Sequence, residues 1–465
     1  MPGTPTAPTG RSTTQIFSAC TQYAAATLVA ALRAGLFGPR SQHRRILVVS
    51  DTSPSPELGT PLHLRPGFGG LAGEFDAVHS WNDFIRPFHP AGWSPRAQDA
   101  SLWERAVRRE WDLGDEEVEL ACESIQANPA QALTTVFGDS PVHIYADGLM
   151  SYGPTRSKLN QLVGTRIRRL LHLDLVPGLR PLLLTEFGVG SEIVPTDVFL
   201  KVLAELADSA DTPLPASGEG DGGAPALLLG QYLAALDLIT LREEEELHAR
   251  MLRGAVALGH TRVVFKPHPS APAHWTRALE EEARRLGADL TVLDSPVLAE
   301  TLFETMRPAL VVSCFSTALL TAAAFYGLPV ARVGTGPLLE ELTPYENSNR
   351  IPLTIVDALL PDLEDPAAVT SWSLPSAAEV RGELSRLVNA VGYAMQPQLQ
   401  AGLHAEAERY LLERHAVMGR YFQRRRLTRL ALPGGVPARL AFIPRSPAVR
   451  RLARKARALK QAATG

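Results

Sequence analysis

The stretch that decides the fold is Arg262-Val263-Val264-Phe265-Lys266-Pro267-His268-Pro269, in which a short apolar run ends abruptly at two prolines. A continuous β-branched and aromatic run predicts a strand that is buried on both faces of a sheet. Because proline has no backbone N–H and a fixed φ, the chain must leave the sheet after this run. Lys266 and His268 are therefore predicted at the carboxyl end of a strand, where open α/β sheets bind their ligands. The alternative interpretation is a proline-rich turn that contains an incidental histidine.

Strands and helices alternate on both sides of this stretch. The predicted strands are residues 13–18, 45–50, 75–81, 142–145, 226–230, 262–265, 290–293, 309–313 and 329–333. The predicted helices are residues 23–36, 102–109, 116–126, 196–207, 242–258, 275–286, 298–305, 316–326, 377–391 and 402–418, and residues 157–173 also carry a helical pattern. This alternation predicts an α/β fold of two doubly wound, Rossmann-type domains that face each other across a cleft.

Changes in composition predict the domain boundaries. Residues 208–225 are poor in apolar side chains and rich in chain breakers, which predicts a linker. The linker separates a first domain at residues 13–207 from a second domain with closing helices at residues 226–419. Residues 1–12 have no apolar core, so we expect a disordered N-terminus rather than a secretory signal. The length of 465 residues also favours two domains.

The cysteine content bears on the cellular compartment. The three cysteines Cys20, Cys122 and Cys314 lie far apart and form no C-x-x-C pair. This pattern predicts a reducing, cytoplasmic environment and argues against a disulfide frame or a zinc site. The sequence also lacks an uninterrupted apolar run of about 18 residues that would span a bilayer.

A basic tail follows an acidic body. Residues 420–465 hold 13 Lys and Arg and no acidic residue, whereas the preceding chain has 33 basic and 49 acidic residues. Residues 448–460 predict a weakly amphipathic, cationic helix, with apolar side chains at helical spacing at Val449, Leu452, Ala456 and Leu459. We expect residues 420–460 to contact an anionic membrane surface, at the inner face of the cell membrane. No nucleic acid is expected as a partner, because few aromatic residues are available to stack bases. A solvating tail is the simpler alternative.

The first candidate catalytic group is Asp147, in Tyr145-Ala146-Asp147-Gly148. The carboxylate follows a predicted strand and lies in a turn that glycine would make possible. A base at this position would take a proton from an acceptor hydroxyl. An ordinary Asp-Gly turn is the alternative.

The second candidate is the helix start in Ser313-Cys314-Phe315-Ser316-Thr317. Ser316 suits the N-cap of a helix, and the free N–H groups of that helix end also suit a phosphate.

His268 would give a proton to a departing phosphate oxygen or lie beside it as a cation. Cys314 is interpreted as a small buried residue rather than a nucleophile. The sequence has no glycine-rich nucleotide loop and no acidic cluster with metal-ligand spacing, so we expect chemistry without a metal or other cofactor.

The order of these motifs resembles that of the bacterial sialyltransferases, and most closely the bacterial α-2,8-polysialyltransferase family. The acidic-acidic-Gly, His-Pro and Ser-Ser/Thr motifs of that family correspond here to Ala146-Asp147-Gly148, His268-Pro269 and Ser316-Thr317. The resemblance extends over about residues 13–360 and includes Gly230-Gln231-Tyr232.

The resemblance implies a GT-B fold with the active site in the cleft and CMP-sialic acid bound mainly to the second domain. It implies that His268 lies at the donor phosphate and that the carboxylate motif, here Asp147 with Gly148, supplies the general base. The other donor-binding residues that it implies are Lys266, Pro269, Ser316, Thr317, Gly230 and Gln231. Transfer to a glycan acceptor would invert the anomeric centre without a metal. The chain departs from the family pattern at Ala146, where the first acidic position is lost.

Two alternatives stay open at this point. Another GT-B enzyme, using a UDP-sugar or a CDP-polyol, would also place His-Pro and Ser-Thr elements at a phosphate. A membrane-associated scaffold of the same fold, without catalysis, would explain the loss of an acidic residue at Ala146.

Overall fold

The computed structural model describes residues 13–209, 223–268 and 276–435. Twelve strands lie in these ranges: β1 Thr13–Ala19, β2 His43–Val49, β3 Ala77–Ser80, β4 Glu117–Cys122, β5 Val142–Ala146, β6 Ile167–Leu173, β7 Ser191–Val194, β8 Ala226–Leu229, β9 Arg262–Lys266, β10 Asp289–Val292, β11 Leu310–Ser313 and β12 Val330–Arg332. The predicted disordered start at residues 1–12, most of the predicted linker, Pro269 and residues 436–465 of the basic tail lie outside the described residues.

Helices follow most of the strands. In the first half they are α1 Gln22–Arg33, α2 Phe68–Ala72, α3 Trp81–Ile85, α4 Ala100–Glu110, α5 Ala130–Val136, α6 Gln161–Gly164 and α7 Thr196–Asp208. In the second half they are α8 Leu241–Ala257, α9 Thr276–Leu286, α10 Ala299–Met306, α11 Thr317–Tyr326, α12 Thr335–Glu341, α13 Arg350–Leu359, α14 Pro366–Ser371, α15 Ala377–Glu379, α16 Ser385–Met395, α17 His404–Met418 and α18 Arg424–Arg429. In the described part of the chain, every helix is too short or too polar to cross a bilayer.

The strands form two entirely parallel sheets, one in each half of the chain. The first has the order β3-β2-β1-β4-β5-β6-β7 and the second the order β10-β9-β8-β11-β12. In each sheet the chain first moves outward in one direction and then returns to continue on the other side of its first strand. The order therefore reverses between β1 and β4 and again between β8 and β11. Two doubly wound domains of this kind confirm the predicted fold class.

Alternation along the strands of the first sheet gives that sheet two apolar faces. Ile16 and Leu120 point to one face, under α3, α4 and α5, while Phe17 and Ala121 point to the other, under α1 and α7. The apolar side chains on the face under α1 and α7 are continuous with the core of the second domain. Both faces of the sheet are therefore covered, as parallel sheets require.

Side chains from α1, α7 and α11 join the two domains. The Tyr23 ring packs edge-on against Phe199 at 5.3 Å between centroids, and Phe199 packs in the same way against Phe325 of the second domain at 6.1 Å. The Tyr23 hydroxyl shares a hydrogen bond of 3.2 Å with the hydroxyl of Thr321. The closing helices also return to the first domain, where Gln400 Nε2 donates to Thr185 Oγ1 at 3.0 Å. These contacts bring the carboxyl ends of the two sheets toward one interface.

The helix predicted at residues 116–126 is wrong. Residues Glu117–Cys122 form β4, which pairs with β1 on one side and β5 on the other. The acidic residues at the start of this segment favoured a helical first turn. The side chains of Val118, Leu120 and Cys122 instead share one buried face of the sheet, and this spacing of two residues is the period of a strand.

The helical interpretation of residues 157–173 is also wrong for its second half. Only Gln161–Gly164 is helical, and Ile167–Leu173 forms β6 between β5 and β7. Arg169 lies on this strand and donates to Glu192 Oε2 of β7 at 2.9 Å. Cross-strand pairing of this kind was not visible in the sequence pattern, and β7 was not predicted.

The start of the basic tail is part of the folded second domain. Tyr421 and Leu427 are buried, and the Tyr421 hydroxyl donates to Asp357 Oδ2 at 2.8 Å. Arg420 pairs with the same carboxylate at 2.7 Å, and Arg426 Nε donates to the Ala394 carbonyl at 2.6 Å. Five of the basic residues that the sequence assigns to the tail, at 420, 424–426 and 429, therefore belong to the folded segment that continues directly from α17.

Candidate active site

The candidate site lies where the carboxyl ends of both sheets meet, beside the two points at which the strand order reverses. Cys20, Glu123 and Asp147 follow β1, β4 and β5 of the first sheet. The residues that follow β8, β9 and β11 of the second sheet are Gly230, Pro267-His268 and Cys314-Phe315-Ser316. Reversal points of this kind are the usual ligand sites of open parallel sheets.

The segment around Asp147 contacts the start of α11 across the domain interface. The backbone N–H of Leu149 points to the hydroxyl of Thr317, with a nitrogen-to-oxygen distance of 3.5 Å. A Cβ atom added to Gly148 would lie 3.4 Å from the same hydroxyl oxygen. The structure thus brings together the first-domain motif and the Ser-Thr motif, which are 170 positions apart at Asp147 and Thr317. The backbone of Gly148 is extended, so the predicted need for glycine conformational freedom is wrong.

Asp147 lies in an environment that favours its protonated form. Burial raises the pKa of Asp147 well above the ordinary range of an aspartic acid. Burial, followed by the negative charge of Asp147, also raises the pKa of the neighbouring Glu123. A base whose pKa approaches neutrality is better matched to proton transfer at neutral pH.

The sequence interpretation missed Glu123. It was placed inside a predicted helix, whereas it is the first residue after β4, next to the strand that leads to Asp147. The alternation of Val118, Leu120 and Cys122 would have revealed the strand, and with it a carboxylate at a strand end.

Lys266 and Glu300 form a second buried pair of ionisable groups near the interface. Lys266 is 5% exposed, and its Nζ donates to the Ser295 carbonyl at 2.9 Å. Burial lowers the pKa of Lys266 to about 8, while the negative charge of Glu300 acts in the opposite direction. Burial raises the pKa of Glu300 to about 7, and Asp147 adds to this effect across the interface. Glu300 is a second group that the sequence did not single out.

His268 lies at the surface, at the end of β9. Its ring is stacked on the Tyr232 ring, with 5.6 Å between centroids and an angle of 7° between planes. Partial burial, and next the charge of Lys266, lower the pKa of His268. The imidazole is therefore neutral near pH 7, and the approach of a negatively charged phosphate would favour its protonation.

Gly230 and Gln231 support the ends of neighbouring strands. The Gly230 N–H donates to the Lys266 carbonyl at 2.9 Å, and a Cβ atom on Gly230 would lie 3.1 Å from the Phe265 ring. Gln231 Oε1 accepts the N–H of Phe315 at 2.8 Å. These bonds fix the turns that carry His268 and Ser316. A direct role of Gly230 and Gln231 in donor binding stays a prediction.

Ser316 is the N-cap of α11, as predicted. Its Oγ accepts the N–H of Ala318 at 3.3 Å. Cys314 is fully buried, which confirms its interpretation as a small core residue, and burial raises the pKa of its thiol. Among residues 13–209, 223–268 and 276–435, the His, Cys, Asp and Glu side chains form no group of three that would hold a metal ion. Reaction without a metal stays a prediction.

Comparison with known proteins identifies the family. The model of the alpha-2,8-polysialyltransferase family matches residues 16–335, a range that contains Asp147, His268 and Ser316. A search of curated proteins finds no match.

Solved structures with similar folds include MurG from Acinetobacter baumannii, at 12% identity and a TM-score of 0.39, covering 86% of this chain and 95% of that one. The GT-B domain of a sialyltransferase from Photobacterium damselae has 12% identity and a TM-score of 0.39, covering 73% of this chain and 95% of that one. UDP-GlcNAc 2-epimerase from Methanocaldococcus jannaschii has 10% identity and a TM-score of 0.43, covering 80% of this chain and 92% of that one. The family match alone covers more than half of the chain. The chain therefore belongs to the alpha-2,8-polysialyltransferase family and is a glycosyltransferase.

Proposed function

We propose that this glycosyltransferase moves sialic acid, or a related sugar, from a CMP-activated donor to a glycan acceptor, with inversion at the anomeric carbon and without a metal. The observation that carries the proposal is the contact between the Asp147 segment and the start of α11, where Leu149 N–H faces Thr317 Oγ1 at 3.5 Å. This contact supports the proposal because it brings the segment of a base candidate in the first domain close to a helix start in the second domain that suits a phosphate.

In the proposed reaction Asp147 removes the proton of the acceptor hydroxyl. The acceptor oxygen then forms its bond to the anomeric carbon while the bond from that carbon to the phosphate oxygen of the donor breaks. Inversion follows because the acceptor attacks the face opposite the departing phosphate. The base and the phosphate must therefore lie on opposite sides of the sugar, which suits residues supplied by two different domains.

The departing phosphate gains negative charge, which the second domain would stabilise. His268 would act there as a cation or a proton donor, because the phosphate charge offsets the influences that lower its pKa. The N–H groups at the start of α11 and the hydroxyls of Ser316 and Thr317 would add hydrogen bonds. Lys266 is more deeply buried and would contribute positive charge to the same region.

Nucleotide preference tests this function. We expect CMP to raise the melting temperature of the full chain more than UMP, UDP or CDP at equal concentration, because the donor carries a single phosphate on cytidine. At about 100 times the dissociation constant, a ligand stabilises the folded state by about 2.7 kcal/mol. CMP release from CMP-sialic acid in the presence of glycan acceptors is the accompanying activity measurement.

Other outcomes of that experiment distinguish the alternatives. A larger shift with UDP would contradict the proposed donor and indicate a UDP-sugar enzyme, and a response to CDP-polyols would indicate a polyol-phosphate polymerase. CMP binding without any release of CMP from CMP-sialic acid would favour a non-catalytic scaffold.

We also propose that the basic tail holds the protein at an anionic membrane surface, in line with a peripheral position at the inner face of the cell membrane. The support is the charge pattern, because residues 436–465 hold eight Lys and Arg and no acidic residue. Each cation near an anionic surface contributes about 1 kcal/mol.

Deletion of residues 436–465 tests the tail, since the packing of Tyr421 and Leu427 requires the cut to lie beyond residue 435. We expect the truncated chain to lose binding to phosphatidylserine-containing vesicles in a sedimentation assay and to keep its melting temperature. Full-length protein should bind less as salt rises, and should not bind phosphatidylcholine vesicles. Unchanged vesicle binding after truncation, or binding that salt does not weaken, would contradict the electrostatic account.

A further inference from the structure

Glu123 lies beside Asp147 because of the strand order of the first sheet. β4 pairs with β5 in parallel register, with Cys122 opposite Ile144. Glu123 therefore leaves its strand at the same sheet edge as Asp147, at the position next to the reversal between β1 and β4. Residues that follow neighbouring parallel strands share one edge, so the two carboxyl groups belong to one site.

The surroundings of Glu123 satisfy only part of its carboxyl group. The backbone of Cys20 lies near the carboxylate and favours its charged form, which acts to lower the pKa. Its Oε2 is buried and makes no hydrogen bond within the described part of the chain. A buried carboxylate oxygen without a partner is costly, and a proton on that oxygen removes much of the cost.

A purely structural role explains this arrangement poorly. Structural buried acids are usually paired with a cation or bonded through both oxygens, as Asp357 is with Arg420 and Tyr421 in the second domain. Glu123 instead faces a second acid, Asp147, and the two raise each other's cost of ionisation. Paired acids with separated titrations are a common arrangement of catalytic bases.

We infer that Glu123 and Asp147 hold one proton between them at neutral pH, so that the pair carries a single negative charge and acts as the base of the transfer. This inference rests on the proposed function of Asp147. Glu123 then supplies, from a neighbouring strand, the second acidic group that Ala146 does not provide.

The proton balance of the pair is simple. With one proton on Glu123, the Asp147 carboxylate accepts the proton of the acceptor hydroxyl, and the pair becomes doubly protonated and neutral. After the product leaves, one proton returns to water and restores the single charge. If both acids were charged, they would repel a negatively charged donor, so Glu123 acts as a positioning residue that limits the charge of the site.

Other titratable groups face the pair from the elements packed against it. Cys20 after β1, Tyr23 on α1 and Tyr145 on β5 lie within electrostatic range of Asp147. Asp51 after β2 and Cys122 on β4 lie near Cys20. Glu300 of the second domain lies within electrostatic range of both Asp147 and Lys266. Glu300 and Lys266 titrate near the same pH range, with pKa values of about 7 and about 8. A signal from a protonated carboxyl group can therefore be assigned to Glu123 only by comparing the wild type with a variant that lacks this carboxyl group.

Infrared difference spectroscopy on the full chain without substrate tests the shared proton directly. We expect the carbonyl band of a protonated carboxyl group at pH 7 in the wild type, its loss in Glu123→Gln, and its retention in the control Glu117→Gln. Glu117 is an exposed residue at the opposite end of the same strand. A Glu123→Gln spectrum identical to that of the wild type at pH 7 would overturn the inference, whatever the donor of the enzyme proves to be.

The pH dependence of turnover separates this inference from the proposed function. The measurement uses whichever nucleotide sugar the enzyme turns over. In the wild type and in Glu117→Gln, kcat should fall at alkaline pH as Glu123 loses its proton. In Glu123→Gln this fall in kcat should be absent. A profile of the same shape in wild type and Glu123→Gln would overturn the role of Glu123, even if CMP-sialic acid is the donor. Failure of CMP-sialic acid as a donor, with the infrared result intact, would overturn only the proposed donor.

Stability provides a further readout. Because the folded state raises the pKa of Glu123, it binds that proton more tightly than the unfolded chain, so stability falls as pH rises from the ordinary glutamate range through the raised value. Glu123→Gln should remove this loss and melt at or above the wild-type temperature at alkaline pH. If the variant fails to fold, Asp147→Asn tests the pair from the other side, since the Glu123 band should then disappear at a lower pH than in the wild type. An unshifted band would overturn the coupling.

Discussion

Replacement of Asp147 by asparagine is expected to reduce kcat by about 10²–10⁴-fold, the usual contribution of a positioned general base. The amide keeps the size of the side chain but cannot accept the proton of the acceptor hydroxyl. KM for the donor should change little, because the donor is held mainly by the second domain in the proposed arrangement. Steady-state kinetics with the donor and acceptor that give turnover provide the measurement.

The pH profile adds a second test of the same residue. Burial raises the pKa of Asp147, so the wild-type rate should fall as pH drops through a range above that of an ordinary aspartate, because the base becomes protonated. Asp139→Asn is a matched control, since Asp139 is exposed in the loop that precedes the same strand, at its opposite end. Wild-type kcat in Asp147→Asn would contradict the assignment of the base and would direct attention to another acceptor-side group.

Replacement of His268 by alanine is expected to reduce kcat by about 10²–10³-fold, as the loss of an acid or cation at a leaving group does. The melting temperature should stay within about 2 °C of the wild type, because exposed side chains away from the core change stability by about 0.5 kcal/mol or less. His268 lies at the surface, with one ring face on Tyr232. Parallel measurement of kcat and of thermal unfolding checks both parts.

His260→Ala is the matched control for this variant. His260 lies just before β9 at the opposite end of the strand, and burial lowers the pKa of its ring as well. This control should keep wild-type turnover. A large fall in melting temperature for His268→Ala, with activity lost in proportion to unfolding, would show that the histidine serves packing.

Much of the second domain could be predicted from the sequence, because its signals are local. The run Val263-Val264-Phe265 is continuously apolar and is followed by two prolines, and both features act on the residues that carry them. Ser316 could be predicted as an N-cap for the same reason, since its hydroxyl meets an N–H only two positions away.

The first half of the site was harder to predict. The segment at residues 116–126 has acidic residues that suit a helix start, and its strand pattern is short. The deciding factor is the position between β1 and β5 in the sheet. The backbone N–H and C=O groups of these two strands require hydrogen-bond partners, and β4 supplies them. Glu123 was missed for this reason, because its place at the sheet edge depends on strands that are distant in sequence.

The sequence by itself determined the two doubly wound domains, the Lys-Pro-His-Pro strand end and the capped start of α11, since apolar periodicity, proline and capping act over a few residues. The tertiary structure alone decided that the segment after Asp147 meets Thr317 and that Glu123 follows the strand next to that of Asp147. It also decided the shifted pKa values of Lys266 and Glu300. The physical reason is that pairing of distant strands and removal of water at a domain interface depend on which surfaces meet, and neither is encoded in any short segment.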